Sequence, residues 1–164
     1  IFFMVFYFLV CTKIHNFTTN ATYMVEVKKF TFDNSELMEM AHQIRYVVFV
    51  IGQNCPEELE WEYEEESTHF LVLDNGEPVG TARHRKTKNG FKLERFAVLE
   101  SKRGKGYGNI VLKAILDDLV DFNGLIYMHA QKEVLSFYEK LGFKKEGEEF
   151  EEAGIMHFKM YLRK

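Results

Sequence analysis

Cysteine, net positive charge and long apolar runs are all scarce in this chain, and each shortage closes off a class of protein. Cys11 and Cys55 are the only two cysteines in 164 residues. They stand far apart and form no CxxC pair, so neither a disulfide framework nor a zinc site is signalled, and a reduced, cytoplasmic setting fits. The formal net charge is -4 with charges of both signs mixed along the chain, which excludes a protein that grips nucleic acid mainly through its phosphates. No apolar run approaches the roughly 20 residues a bilayer span needs. The candidate Ile1–Val10 stops at Cys11-Thr12-Lys13, with no basic segment before it and no clear cleavage site after it, so no membrane partner is expected. There is also no internal repeat, low-complexity tract or interdomain linker.

What is present suits one packed domain: 46% apolar and 15% aromatic residues supply an ample core. Met24 precedes the first strand-like segment, Val25–Phe30. Residues 1–23 are therefore expected to be an apolar extension outside the native domain, packed on something, and 24–164 to be the domain itself. From Asp33 the pattern turns helical, with Leu37, Met40, Ala41, Ile44, Val47 and Val48 on one stripe and Asp33 and Glu36 spaced as a capping box. Residues 53–67 are rich in glutamate and contain Pro56 and Trp61; they read as a loop with at most a short helix, a solvated acidic surface or the border of a substrate site. Strand-like runs at 68–73 and 79–85 flank the turn Asp74-Asn75-Gly76-Glu77-Pro78, and Lys88-Asn89-Gly90 leads into a third at 91–99. An amphipathic helix around Ile110–Val120, a buried-type strand at 125–130, a helix carrying Val134 to Leu141 and two closing strands complete the order β-α-(loop)-β-β-β-α-β-α-β-β. The fold class is α/β or α+β, a mixed sheet covered by helices.

The densest chemical signal lies between the third strand and the helix after it, at Arg103-Gly104-Lys105-Gly106-Tyr107-Gly108. Glycines there let backbone N–H groups approach a phosphate closely, the helix N-terminus adds partial positive charge, and Arg103 and Lys105 add full charges. The spacing is neither GxxxxGK[ST] nor GxGxxG, which sets aside the P-loop and the dinucleotide fold. A tight turn that needs glycine only for its geometry is the plainer alternative.

Arg103-x-x-Gly106-x-Gly108, preceded by Leu93-Glu94-Arg95-Phe96-Ala97-Val98, resembles the [Q/R]xxGx[G/A] signature of Gcn5-related N-acetyltransferases (GNAT) and the strand that leads into it. Phe137-Tyr138-Glu139-Lys140-Leu141-Gly142-Phe143 resembles the family's FYxKxGF segment, and Gly80-Thr81-Ala82-Arg83 its second hairpin strand. Ile44–Phe49, Ala130-Gln131 and Gly154-Ile155-Met156-His157 further resemble the small bacterial branch called ElaA-like or YjcF-like. The likeness covers about residues 24–164.

The resemblance implies a mostly antiparallel sheet of six or seven strands, flanked by helices and splayed at an acyl-CoA cleft. It implies transfer of an acetyl group from acetyl-CoA to a primary amine of a small molecule or peptide, by direct attack in a ternary complex and without a metal. A non-catalytic acyl-CoA-binding or sensing module is the alternative, and pairing into a homodimer is open. Pantetheine would lie along Phe96, Ala97 and Val98, and the pyrophosphate on Arg103, Gly104, Lys105, Gly106, Tyr107 and Gly108, with Gln131 also on the cosubstrate side. Tyr138 would protonate the departing thiolate, and Glu94 would act as base, directly or through water; Glu94 as a surface charge paired with Arg95 is the other reading. Arg83, His84, Trp61 and His157 are candidates for the acceptor pocket, the two histidines being equally readable as structural residues. No cysteine in the matched part stands at a nucleophile position.

Overall fold

The computed structural model describes residues 24–163, so the expectation for residues 1–23 lies outside the described residues. Seven strands alternate with short helices in the anticipated order: β1 Val25–Phe30, α1 Ser35–Arg45, α2 Glu57–Glu60, β2 Ser67–Asp74, β3 Glu77–Thr87, β4 Gly90–Val98, α3 Tyr107–Asp118, β5 Leu125–Gln131, α4 Leu135–Glu139, β6 Lys144–Glu152 and β7 Ile155–Arg163. Local chemistry explains the hairpins. Asp74 pairs with Glu77 across Asn75-Gly76, and Glu152 with Ile155 across Ala153-Gly154. All four loop residues have positive φ, the two-residue turn whose twist matches that of the strands.

Two details of the first helix differ from the sequence expectation. The cap is Asn34, whose side chain accepts from the Leu37 N–H at 3.1 Å, in place of the Asp33–Glu36 box. After Arg45 the backbone widens into a π-helical turn, Tyr46–Ile51. The wider turn rotates the apolar stripe: Met38, Ala41, Ile44 and Val48 are buried, whereas Val47 is 48% exposed.

The sheet order is β1-β2-β3-β4-β5-β7-β6. Its two faces are covered separately. Phe70, Val72, Val79, Ala82, Leu93, Ile126 and Met128 pack with Val111, Leu112 and Ile115 of α3 and with Tyr138 and Phe143. Leu71, Leu73 and Ala97 on the opposite face pack with α1. Every neighbouring pair is antiparallel except β4 and β5, which run parallel and register at Phe91–Ile126 and Lys92–Tyr127 only. Beyond that point they diverge. At the base of this fork Gly90, at φ 133°, lies so close to β5 that an added Cβ would fall 2.0 Å from the Leu125 carbonyl oxygen.

The glutamate-rich segment is tied to the α1 face by charge. Arg45 Nε donates to Glu60 at 2.5 Å and its NH2 to Glu64 at 2.9 Å; Arg83 donates to Glu64 and, at 3.2 Å, to Glu94. Arg45, Arg83, Glu60, Glu64 and Glu94 are all buried. This corrects the reading of the segment as a solvated surface: Glu57, Glu58, Glu62, Glu65 and Glu66 are exposed, but Glu60 and Glu64 are core residues. Burial pushes the Glu64 carboxyl up, but hydrogen bonds from His42 and Arg45 and the charges of Arg45 and Arg83 outweigh it and bring the group down to about 2.

Two outcomes are expected from this framework. Gly90→Ala should destabilise the fold by at least the roughly 1–3 kcal/mol of a strained backbone position, read as a lowered Tm. Glu64→Gln should cost about 3 kcal/mol at pH 7, since it leaves two buried guanidiniums short of an anion. Because the Glu64 carboxyl lies below its ordinary 4.5 in the folded chain, its contribution is complete above that value and is lost as pH falls toward 2. Urea melts between pH 7 and pH 3 should therefore show the wild type and Glu64→Gln converging as acid is added.

Candidate functional site

Where β4 and β5 part, the sheet opens into a cleft of about 650 Å³. Past Lys92 the edge of β4 that faces β5 has no strand partner, so its backbone groups are available to something lying in the fork. A bulge sharpens the opening: Arg95 takes φ 58°, and the β3–β4 register shifts between Thr81 and Arg83. The Arg95 guanidinium is fixed by the Leu59 carbonyl at 2.5 Å, the Glu60 carbonyl at 3.2 Å and the Glu60 carboxylate at 2.8 Å. The two-residue alternation of the strand places Phe96 and Val98 toward the α3 core and Ala97 toward α1, and all three line the cleft.

At one end of the cleft stands the glycine turn. Gly104 and Gly106 adopt φ 79° and 87°, and a Cβ on either would meet nothing within 4 Å, so open space lies above both. Gly106 caps α3, and the first amides of that helix have no preceding turn to serve. Arg103 and Gly108 line the cleft, with Arg103 Nε donating to the Val98 carbonyl at 3.2 Å. Lys105 is exposed. Tyr107 turns away: it is buried and its hydroxyl donates to Asp74 at 2.5 Å, so only its backbone is free for a ligand. The residues present fit an anionic, extended ligand that runs from the turn along β4.

Tyr138 closes the α3 side of the cleft, held edge-on by Phe96 and Phe143 at ring separations of 5.9 and 6.0 Å. Burial pushes its phenol well above the ordinary 10, so the ring keeps its proton. Glu94 lines the cleft on the other face, but it receives Arg85 at 3.0 Å, Arg83 at 3.2 Å and Lys92 at 2.9 Å. Burial pushes it up, and the Arg85 hydrogen bond with the Lys92 and Arg83 charges more than offset this, leaving it at about 2. A carboxylate so held is an anchor for cations and a poor acceptor of protons at neutral pH. Gln131 and His157 also line the cleft; Gln131 exchanges two hydrogen bonds with Gln53, at 2.9 and 3.3 Å, and His157 Nδ1 lies 2.8 Å from the Ile155 carbonyl.

Three of the expected acceptor-pocket residues are not brought to the cleft. Arg83 is fully buried under it in the ion network. His84 faces the α3 side, 2.9 Å from Asp118 and packed between Phe70 and Phe91, because its neighbour Arg83 claims the α1 face and alternate residues oppose. Trp61 donates to Glu57 at 3.2 Å, meets the His42 ring at a 48° tilt and lies beneath the Arg45 guanidinium, lining a separate shallow depression.

Sequence reasoning missed several lining groups. Gln53 and Leu59 come from the glutamate-rich segment, which therefore does border the cleft, and His129 with Glu152 forms a hydrogen-bonded pair at 2.9 Å on its far wall. His129 precedes Gln131 by two on one strand face, a spacing that could have placed it; its partner, 23 residues on, leaves no such trace. Cys55 also reaches the cleft, where burial and then Glu60 push its thiol up, against the pull of Arg95.

Comparison with known proteins agrees with this geometry. Residues 37–164 match the family model of the acetyltransferase (GNAT) domain. The chain is 42% identical over 132 residues to the uncharacterized N-acetyltransferase YjcF of Bacillus subtilis (strain 168), covering 77% of this chain and 93% of YjcF. It superposes on the crystal structure of Escherichia coli ElaA with a TM-score of 0.75 at 26% identity, covering 84% of this chain and 99% of ElaA. It shares the fold of an aminoglycoside 6'-N-acetyltransferase solved with coenzyme A, with a TM-score of 0.68 at 17% identity over 84% of this chain and 96% of that one. The seven-stranded forked sheet, the glycine turn and the matched sequence together show that this chain belongs to the GNAT acetyltransferase family.

Proposed function

We propose that the protein moves an acetyl group from acetyl-CoA to a primary amine of a small molecule or peptide. The observation that carries this reading is the fork itself, with its unpaired β4 edge, the open glycine turn at one end and the protonated phenol of Tyr138 in its wall. The family's fold neighbour with bound coenzyme A supports the same donor. The pyrophosphate rests on the amides of Gly104 to Gly108, assisted by Arg103 and Lys105; pantetheine runs along Phe96–Val98, using backbone bonds that β5 leaves free.

Attack of a neutral amine on a thioester needs a base for the ammonium, a donor for the oxyanion and an acid for the leaving sulfur. A backbone N–H of the unpaired β4 edge is suited to the oxyanion. Tyr138 is suited to the sulfur: it retains its proton through the neutral range, and the low-dielectric wall that raises the phenol also makes a bare thiolate costly. Direct attack is favoured over an acyl-cysteine route, because the raised Cys55 thiol holds little thiolate.

Tyr138→Phe should lower kcat by about 10²-fold while acetyl-CoA affinity, read by calorimetry, stays nearly unchanged; an equal loss of affinity would mean that the ring only packs. Gly106→Val should weaken acetyl-CoA binding at least about tenfold, or 1.4 kcal/mol, because a branched residue at φ 87° distorts the turn and covers its amides. Retained binding in that variant would contradict the cradle. In the wild type, a thermal shift with coenzyme A but no thiol release over an amine panel would favour a sensing module, and no shift at all would sink both readings.

A further inference from the structure

Assigning Tyr138 to the sulfur leaves the ammonium proton without a receiver, since Glu94 is occupied by three cations. One other titratable pair lines the cleft with an unused lone pair. Along β5, Met128 and Ala130 pack into the α3-side core, so His129 projects to the opposite face, with Gln131. Lys92 registers with Tyr127 at the last rung of the fork; two residues further along each strand, Glu94 and His129 stand on the same face, on opposite sides of the opening. His129 Nδ1 lies 2.9 Å from Glu152 Oε2, and its ring is edge-on to Phe150 at 4.8 Å. Among the described residues its Nε2 has no hydrogen-bond partner. A carboxylate at Nδ1 fixes the proton there and leaves Nε2 as the acceptor.

We propose that His129, oriented by Glu152, is the general base of the transfer. The assignment rests on the acetyl-transfer reading above. The sheet then separates the two proton-transfer groups: the base stands on the face opposite Tyr138, and a thioester lying in the fork passes between them. The acceptor ammonium gives a proton to His129 Nε2, directly or through one water. The amine nitrogen bonds to the thioester carbon, the C–S bond breaks, and Tyr138 gives its proton to the sulfur. The amide nitrogen's surplus proton leaves by the same imidazole, which exchanges with solvent, and solvent returns a proton to the Tyr138 oxygen. Around the imidazole stand Glu152 on β6, His157 and Lys159 on β7, and Lys92 and Glu94 on β4. Glu152 is a positioning residue, and the hydrogen bond with His129 draws its carboxyl down against the effect of burial.

The test uses thiol release from acetyl-CoA with a panel comprising a polyamine, a lysine-containing peptide and an aromatic amine, for the wild type, His129→Ala and His129→Gln. Both variants should bind acetyl-CoA as the wild type does and lose about 10²-fold in kcat/KM at pH 7. The deficit should shrink as pH rises and the amine deprotonates unaided, and added imidazole should restore part of the His129→Ala rate. Glu152→Gln should lower kcat about tenfold while acetyl-CoA affinity stays at the wild-type value, the split expected of a residue that orients the base without touching the cosubstrate. Variants within about threefold of wild type, or a deficit that neither pH nor imidazole alters, would overturn the base while leaving transfer intact. No thiol release by the wild type with any amine would overturn the transfer reading and the base with it.

Discussion

The parallel contact between β4 and β5 lasts for two residue pairs and then fails, and the cleft exists because it fails. A continuing parallel ladder would have satisfied the β4 edge and left no room for a ligand. The strands are held together at the root, where Gly90 lets β5 press against β4, and held apart above it by the bulge at Arg95. That bulge is costly for a non-glycine residue and persists because its side chain is tied to α2: Arg95 meets the Leu59 and Glu60 carbonyls and the Glu60 carboxylate. The opening of the sheet is thus fixed by a loop far away in sequence.

The same loop carries the electrostatic design of the α1 face. Glu64 is shared by Arg45, Arg83 and His42, and Arg83 passes the chain on to Glu94. Glu60 shows the tension in such burial: desolvation pushes its carboxyl up even though Arg45 and Arg95 pull it down. A network of this kind adds little net stability over an apolar core, but each member fails badly if its partner is lost, so it specifies one arrangement of loop and sheet. Its consequence for chemistry is direct. The carboxylate nearest the fork on β4 is held by three cations, whereas His129, paired with Glu152 through Nδ1, has no hydrogen-bond partner for Nε2 among the described residues.

Much of the fold was legible because it follows from local rules. Alternating apolar residues bounded by Asn-Gly turns set the first hairpins, and i, i+3, i+4 spacing set α1 and α3. The errors came where one local rule competed with another: Asn34 took the cap from Asp33, and the π turn after Arg45 kept Val48 in the core but turned Val47 out to solvent. The site divided similarly. The β4 segment, Arg103, Gly108 and Tyr138, read from contiguous motifs, do line the cleft. Arg83 and His84 were placed together as neighbours in sequence, but adjacent strand residues face opposite sides, and neither side chain lines the cleft.

By itself, then, the sequence determined the order of elements, the family and the glycine turn that opens α3, since these depend on periodicity and on glycines whose conformations are fixed within a few residues. Only the tertiary structure decided which glutamates are buried, which carboxylate is tied up and which histidines line the cleft. Those outcomes depend on pairings across 15 to 23 residues or more, such as Arg45 with Glu60 and His129 with Glu152. Charge pairing and desolvation act through space, and residue spacing along the chain carries no record of them.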